Sequence, residues 1–395
     1  MSSPFTSIKG RSKGFRILTA ILIGLTLAGF VSFIVSYTWG HYVFGTSNSV
    51  PWGMPIVITI YLIGLSAGSL ILSSLTYVFK REEYRPISRV ALFLAIVLIF
   101  GAMVGIALDL GRPEKSWRLF MFFVLNNMRS MFAINGILYG GYFLIGIVYF
   151  GAILAEKYKF IKRMGIVAVL WAALVHMGTG AIFGFIDARP IYFSPIKPFE
   201  FLAAAMVSGL ALLIIVVVAL FKFTKIELNK SLIFPLSRLL LVLVMILSMI
   251  VLIDKLTHLY SLDRASLLWL LTGHYAWVFW GLQVGLAYFL PILLLSHPRS
   301  KNTLRGVVIA SFSVGIGIFG ERFGLVIPGV AYPMPFYPGK IEGIWGAEAS
   351  FPLTPIETLL SLGIFSLMGL FFLLGLKYLE LIPIENQEGQ RTESG

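Results

Sequence analysis

Residues 89–109 read RVALFLAIVLIFGAMVGIALD: an arginine, nineteen residues without a charge, then an aspartate. As a helix rising 1.5 Å per residue this stretch is about 30 Å long, the thickness of a bilayer's hydrocarbon core. A helix on the surface of a soluble domain would break such a run with polar residues every three or four positions. Nothing breaks it here. The segment reads as a membrane span whose charged ends mark the two interfaces.

Windows of the same kind recur along the 395 residues. Ten spans are predicted, at residues 15–38, 52–79, 88–110, 131–155, 163–187, 198–222, 235–258, 271–296, 304–328 and 356–380. Only 12% of the residues are charged, half the share of a soluble protein, so most of the surface meets something other than water. The 39 glycines and 33 phenylalanines suit membrane helices, where small residues permit close approach and aromatics fill the remaining space. The expected fold class is an all-α integral membrane protein of about ten transmembrane helices. It forms one polytopic membrane domain over 1–395, with a polar tail at 385–395 predicted to be disordered. No cleavable signal peptide is evident, because the first apolar stretch is too long and lacks a small-residue cleavage site.

A weak internal repeat has an offset of four spans. GLSAGSLILSSL in the second span resembles AMVSGLALLIIV in the sixth, and RVALFLAIVLIFGAMVGIALD in the third resembles RLLLVLVMILSMIVLID in the seventh. An even offset preserves orientation, so 52–187 and 198–328 would be parallel copies: two four-helix bundles plus two flanking helices. Ser66–Gly68 reads as a close helix contact.

The net charge of +13 does not point to nucleic acid, because the charges are sorted by side. With the N-terminus inside, 21 of the 31 Lys and Arg fall in cytoplasmic segments and 10 in outer ones. That bias sets orientation in short loops. The expected location is the cytoplasmic membrane, with both termini cytoplasmic, lipid as the surrounding partner and no nucleic acid. The outer connections after the third and ninth spans are the longer ones. The second, from Pro328 to Pro355, holds six prolines in 28 residues, which suits an ordered cap on the outer face.

Ionisable residues inside a membrane are expensive and usually functional. Asp109, Arg112, His176, Asp187, Glu200, Asp254, His258, His274, Glu321 and Arg322 all fall in or near the outer half. Each has a plainer reading. DLGRP, residues 109–113, ends a helix, and Arg112 meets its dipole, but this leaves Asp109 free. Glu200 and Glu357 follow Pro198 and Pro355, where a carboxylate suits the positive helix end. Asn135 and Tyr139, four apart on one face, suit hydrogen bonds between helices. His176 reads either as a packed core histidine or as a functional one. No cysteine is present, so the chain holds neither an iron–sulfur cluster nor a covalently attached haem, and no metal site is expected. His41, His176, His258 and His274 leave a haem b conceivable. A quinone pocket competes, since histidine and a partly buried carboxylate exchange protons near neutrality. A secondary transporter would need ionisable residues near span centres, and these are scarce.

Five segments, in order and on the right spans, resemble the NrfD/polysulfide-reductase membrane-subunit family in its ten-span branch. They are PWGMPIVITIYLIGLSAGSLILSSLTYVF, LDLGRPEKSWRLF, NNMRSMFAINGILYGGY, SPIKPFEFLAAAMVSGLALL and ERFGLVIPG with FPLTPIETLLSLG. The resemblance implies a quinone-reactive anchor without haem or iron–sulfur cluster, using menaquinone or another quinone. Its implied partners are an extracytoplasmic four-cluster ferredoxin-like subunit and a catalytic subunit with molybdopterin or nickel–iron. On this reading Asp109, His176 and Asp187 are catalytic, and His176, Arg112, Asn135, Tyr139 and Glu200 bind the quinone. Several members of the family have an acidic residue in the fourth span, where this chain has Asn135.

Overall fold

The computed structural model describes residues 5–78, 80–224, 230–333 and 349–383. Among them are ten helices long and apolar enough to cross a membrane. They are α1 (Lys13–Trp39), α2 (Met54–Tyr77), α3 (Arg85–Asp109), α4 (Met131–Leu154), α5 (Tyr158–Gly184), α6 (Lys197–Thr224), α7 (Lys230–Leu259), α8 (Val278–Ser296), α9 (Leu304–Ala331) and α10 (Pro355–Tyr378). The fold is all-α, as expected. Helix starts run earlier than the apolar windows in α5 and α7; in α5 the exposed Lys159, Lys162 and Arg163 continue the helix while their charged ends stay in polar surroundings. Pro235 therefore lies inside α7, and α9 continues past Pro328 to Ala331. The predicted eighth span begins late: Arg264–Thr272 is a separate short helix, and α8 opens as a π-helix over Val278–Phe289. The loop after α3 is partly helical, with exposed Trp117, Phe120 and Phe122. Most of the proline-rich connection after α9, residues 334–348, and the tail at 385–395 lie outside the described residues.

The helices meet where side chains are smallest. A Cβ on Gly68 of α2 would lie 2.6 Å from the Gly209 Cα of α6, and one on Gly29 of α1 would lie 2.6 Å from the Gly363 Cα of α10. α2 is the hub, packing on α3, α5, α6 and α9. α3 also packs on α4 and α4 on α5, while α6, α7, α8 and α9 pack on one another in turn. The α1–α10 pair leans on α3 and α2. Close packing by small residues is the main attraction available between helices in lipid, where the hydrophobic effect no longer distinguishes helix from solvent.

Both ends of the described chain come together. Phe5–Thr6 pairs antiparallel with Ile382–Pro383, and the buried Arg89 of α3 ties the pair down. Its guanidinium covers the Phe5 ring at 3.9 Å and donates to the Glu380 carbonyl at 3.1 Å and to Glu156 at 3.3 Å. The opposite end of the bundle, where α3 stops and α2, α6 and α10 start, carries the candidate site.

Candidate functional site

Asp109 is the last residue of α3. It is half-buried and has no hydrogen bond or ion pair among the described residues. The chain then turns at Gly111, whose φ of +70° favours glycine. A side chain there would also meet the ring of His41, whose Nε2 lies 3.2 Å from the position of a Cβ. Nε2 of His41 is buried and has no partner among the described residues. Burial pushes His41 below the ordinary histidine pKa, so its ring favours the neutral form. The turn that carries His41 is fixed from the far end of the sequence, since Thr354 donates to the Val43 carbonyl at 2.8 Å. Arg112, by contrast, is exposed and lies 3.9 Å from Glu114.

His176 is fully enclosed in α5. Its Nδ1 is 2.8 Å from the Ala172 carbonyl, and its Nε2 is 2.9 Å from the Ile63 carbonyl of α2. Carbonyls only accept, and a neutral imidazole has one N–H to donate. A neutral ring therefore makes one of these two hydrogen bonds at a time, as its tautomer decides. With the proton on Nε2, His176 ties α5 to α2 through the Ile63 carbonyl. Tyr139 and Thr179 share a hydroxyl–hydroxyl bond of 3.0 Å between α4 and α5. Asn135 is buried beside Gly178; its amide donates to Met131 and its Oδ1 has no partner among the described residues. Asp187 is exposed beyond the end of α5.

Glu200 belongs to a different group. Lys197 Nζ donates to it at 2.7 Å and to Asp254 of α7 at 3.0 Å. Asp254 also accepts from Ser194 at 2.5 Å and Lys255 at 3.0 Å, with His258 Nε2 at 3.8 Å. Lys197, Glu200 and Asp254 are all buried, and the ionic contacts neutralise the two carboxylates. Nearby on α9, Glu321 accepts from Tyr288 at 3.0 Å, and Arg322 stands 3.3 Å from Glu321 with its guanidinium 3.9 Å over Phe201. Arg189, half-buried, donates to the Val330 and Tyr332 carbonyls. That joins the α5–α6 connection to the end of α9.

The predicted residues thus fall into separate neighbourhoods: Asp109 with His41; His176, Asn135 and Tyr139 among α2, α4 and α5; and Glu200 with Lys197. Asp187 and Arg112 stand at the surface. A cavity of about 330 Å³ lined by Phe289, Leu293 and His297 lies at the other end of the bundle. Lys197 and Ser194 were not anticipated. A signal for Lys197 exists, because a lysine in the first turn opposes the helix dipole and so implies a buried acidic partner.

The pattern described as polysulphide reductase, NrfD, matches residues 42–333. The chain belongs to the NrfD family. The match covers α2–α9 and stops short of α1 and α10, the pair held by Gly29 and Gly363. This NrfD protein is 34% identical to the Hdr-like menaquinol oxidoreductase integral membrane subunit of Archaeoglobus fulgidus, over 97% of this chain and 98% of that one. It is 28% identical to a selenate reductase subunit of Mesobacillus selenatarsenatis, over 93% and 94%. It is 23% identical to a polysulfide reductase chain of Wolinella succinogenes, over 72% and 96%. The protein is accordingly an NrfD-type membrane subunit of the kind found in menaquinol oxidoreductases and reductases.

Proposed function

We propose that this chain exchanges electrons and protons between membrane quinone, menaquinone or a relative of it, and an extracytoplasmic iron–sulfur subunit. That subunit would pass electrons to or from a catalytic subunit carrying molybdopterin or nickel–iron. The relative named as a menaquinol oxidoreductase subunit supports the substrate class, and the excess of Lys and Arg on the other side supports an outer site with both termini cytoplasmic. We read α2–α5 and α6–α9 as two four-helix bundles.

One observation carries the reading: Asp109, half-buried at the membrane edge, has no partner among the described residues, and the buried Nε2 of His41 beside Gly111 has none either. Buried polar groups are nearly always satisfied within the protein or by something bound. A quinone needs a hydrogen-bonding group for its oxygens and a proton carrier, and a free carboxyl with a free imidazole nitrogen fits that need. Asp109 exchanges the proton, and His41 donates to or accepts from a ring oxygen. Arg112, exposed on the same turn, faces the partner subunit. His176, Tyr139 and Glu200 hold the helices in place.

The test is saturable binding of a fluorescent hydroxyquinoline N-oxide, a quinol mimic, to the purified chain, displaced by menaquinol. Asp109→Ala weakens that binding by about 5- to 150-fold, the equivalent of one hydrogen bond of 1–3 kcal/mol. Absence of saturable binding to the wild-type chain refutes the reading.

A further inference from the structure

Glu357 sits in the first turn of α10, where Thr354 caps the helix by accepting the Glu357 N–H at 3.3 Å. A carboxylate there ordinarily faces its own helix end and the headgroups. This one turns inward and is fully buried. Its Oε1 accepts the N–H of Met54, the first residue of α2, at 2.6 Å. Its Oε2 is buried and has no partner among the described residues.

The surroundings are built for that approach. A Cβ on Gly53 would lie 2.1 Å from Glu357 Oε1, so any larger residue displaces the carboxyl. The bond from Thr354 to Val43 fixes the start of α10 against the turn that carries His41. The turn at Gly111 that follows Asp109 packs on the ring of the same His41, and no lysine or arginine pairs with Asp109 or Glu357 among the described residues. The corner therefore joins four segments, and it presents Glu357 Oε2, the Asp109 carboxyl and His41 Nε2, each without a partner among the described residues. Glu357 lies outside the residues that match the family.

We propose that Glu357 is a second proton-exchanging residue for quinone at the Asp109 corner, with Oε1 held by the Met54 N–H and Oε2 free to bond the substrate. The inference rests on the quinone reading above. In the oxidising direction a quinol loses two protons and two electrons. The carboxylates of Asp109 and Glu357 take one proton each, forming O–H bonds as the quinol O–H bonds break, and the electrons pass to the iron–sulfur partner. Reduction of a quinone reverses every transfer. Glu357 needs no movement to do this, since its fixed oxygen keeps its bond throughout.

The test compares Glu357→Gln with Glu357→Ala in the intact complex purified from its membrane. Glutamine keeps an oxygen for Met54 but carries no exchangeable acid proton. The expected result for Glu357→Gln is wild-type assembly, full activity of the catalytic subunit with a soluble dye, and quinol turnover reduced at least tenfold with an altered pH profile. Infrared difference spectra on quinone reduction should lose a carboxyl band. Wild-type turnover and pH profile in Glu357→Gln, with instability only in Glu357→Ala, would make Glu357 a cap for α2 and overturn the proposal. If Asp109→Asn alone is slow, this inference fails and the quinone reading stands. A wild-type complex that neither binds the quinol mimic nor reacts with quinol sinks that reading itself.

Discussion

Gly68 of α2 and Gly209 of α6 meet backbone to backbone, each standing where the other's side chain would be: a Cβ on Gly209 would lie 2.4 Å from the Gly68 Cα. The two glycines also take the same place when GLSAGSL is aligned with AMVSGLA. Equivalent residues touch each other where a two-fold axis passes between two copies. We propose on this contact that 52–187 and 198–328 are parallel repeats that pair through α2 and α6.

The first prediction follows from that contact. Gly209→Val should prevent α2 and α6 from closing, because the added atoms meet backbone that cannot step aside. Overpacking of this kind costs about 1–3 kcal/mol or more. Gly140→Val is the control, since nothing lies within 4 Å of a Cβ there. The measurement is the yield of monodisperse protein in detergent. Equal yields would show that the α2–α6 seam is looser than described.

A second prediction concerns Lys197, the shared cation of Glu200 and Asp254. Lys197→Met leaves two buried carboxylates without it, and breaking a buried ion pair from one side costs about 3–5 kcal/mol. The melting temperature should fall sharply. Adding Glu200→Gln and Asp254→Asn to the same chain should restore part of the loss, because neither buried carboxylate then remains without Lys197. A triple variant as unstable as Lys197→Met would show that packing, and not charge, holds this group.

How far the sequence could be read depended on the range of the forces involved. The ten spans were legible because hydrophobicity acts locally and repeats over about twenty residues. Asp109 stood out because the glycine and proline after it end the helix and leave the carboxyl unexplained. The contacts of His176 were hidden, since they are the backbone carbonyls of Ala172 and Ile63, and a backbone acceptor leaves no mark on the sequence. Glu357 reads as a charge at its own helix end, but its Oε1 accepts the N–H of Met54, 303 residues away. The Lys197 group likewise joins α6 to α7 through side chains that no local spacing brings together.

His176 gives the third prediction. Replacing it with alanine removes the donor from the buried carbonyl of Ile63 or Ala172, at about 1–3 kcal/mol for the unsatisfied group, and leaves a cavity. Thermal stability should fall, while quinol turnover per folded complex stays near wild type. Unchanged melting together with lost turnover would return His176 to the chemistry.

His41 predicts a pH dependence of stability. Its folded-state pKa lies below the ordinary value, so below about pH 6.5 the unfolded chain takes up the proton more readily than the folded one. This contribution therefore lowers stability as the pH falls through that region and vanishes above it. Melting curves between about pH 8 and pH 5 should be flatter for His41→Gln than for wild type. Identical slopes would mean that His41 does not contribute.

The last prediction sets Asp109 against Asp254. Both close a span in the proposed repeat, α3 and α7, but their surroundings differ. Asp254 is fully buried, accepts from Ser194, Lys197 and Lys255, and has His258 nearby. Asp109 is half-buried with no partner among the described residues. A carboxylate with several donors is committed to those contacts and contributes to structure, whereas one without donors is free to take a proton from a bound molecule. Asp254→Asn should therefore lower the melting temperature, with quinol turnover per assembled complex little changed. Asp109→Asn should assemble normally, keep dye-linked activity in the catalytic subunit and lose quinol turnover by about 10²-fold, the lower range for removing a positioned acid–base group. Its residual rate should vary with pH differently from wild type, because the amide still forms hydrogen bonds but carries no exchangeable acid proton. If the two variants exchange these behaviours, the quinone site lies in the α6–α9 half, around Lys197 and Arg322. The unpartnered groups at the Asp109 corner would then need another explanation.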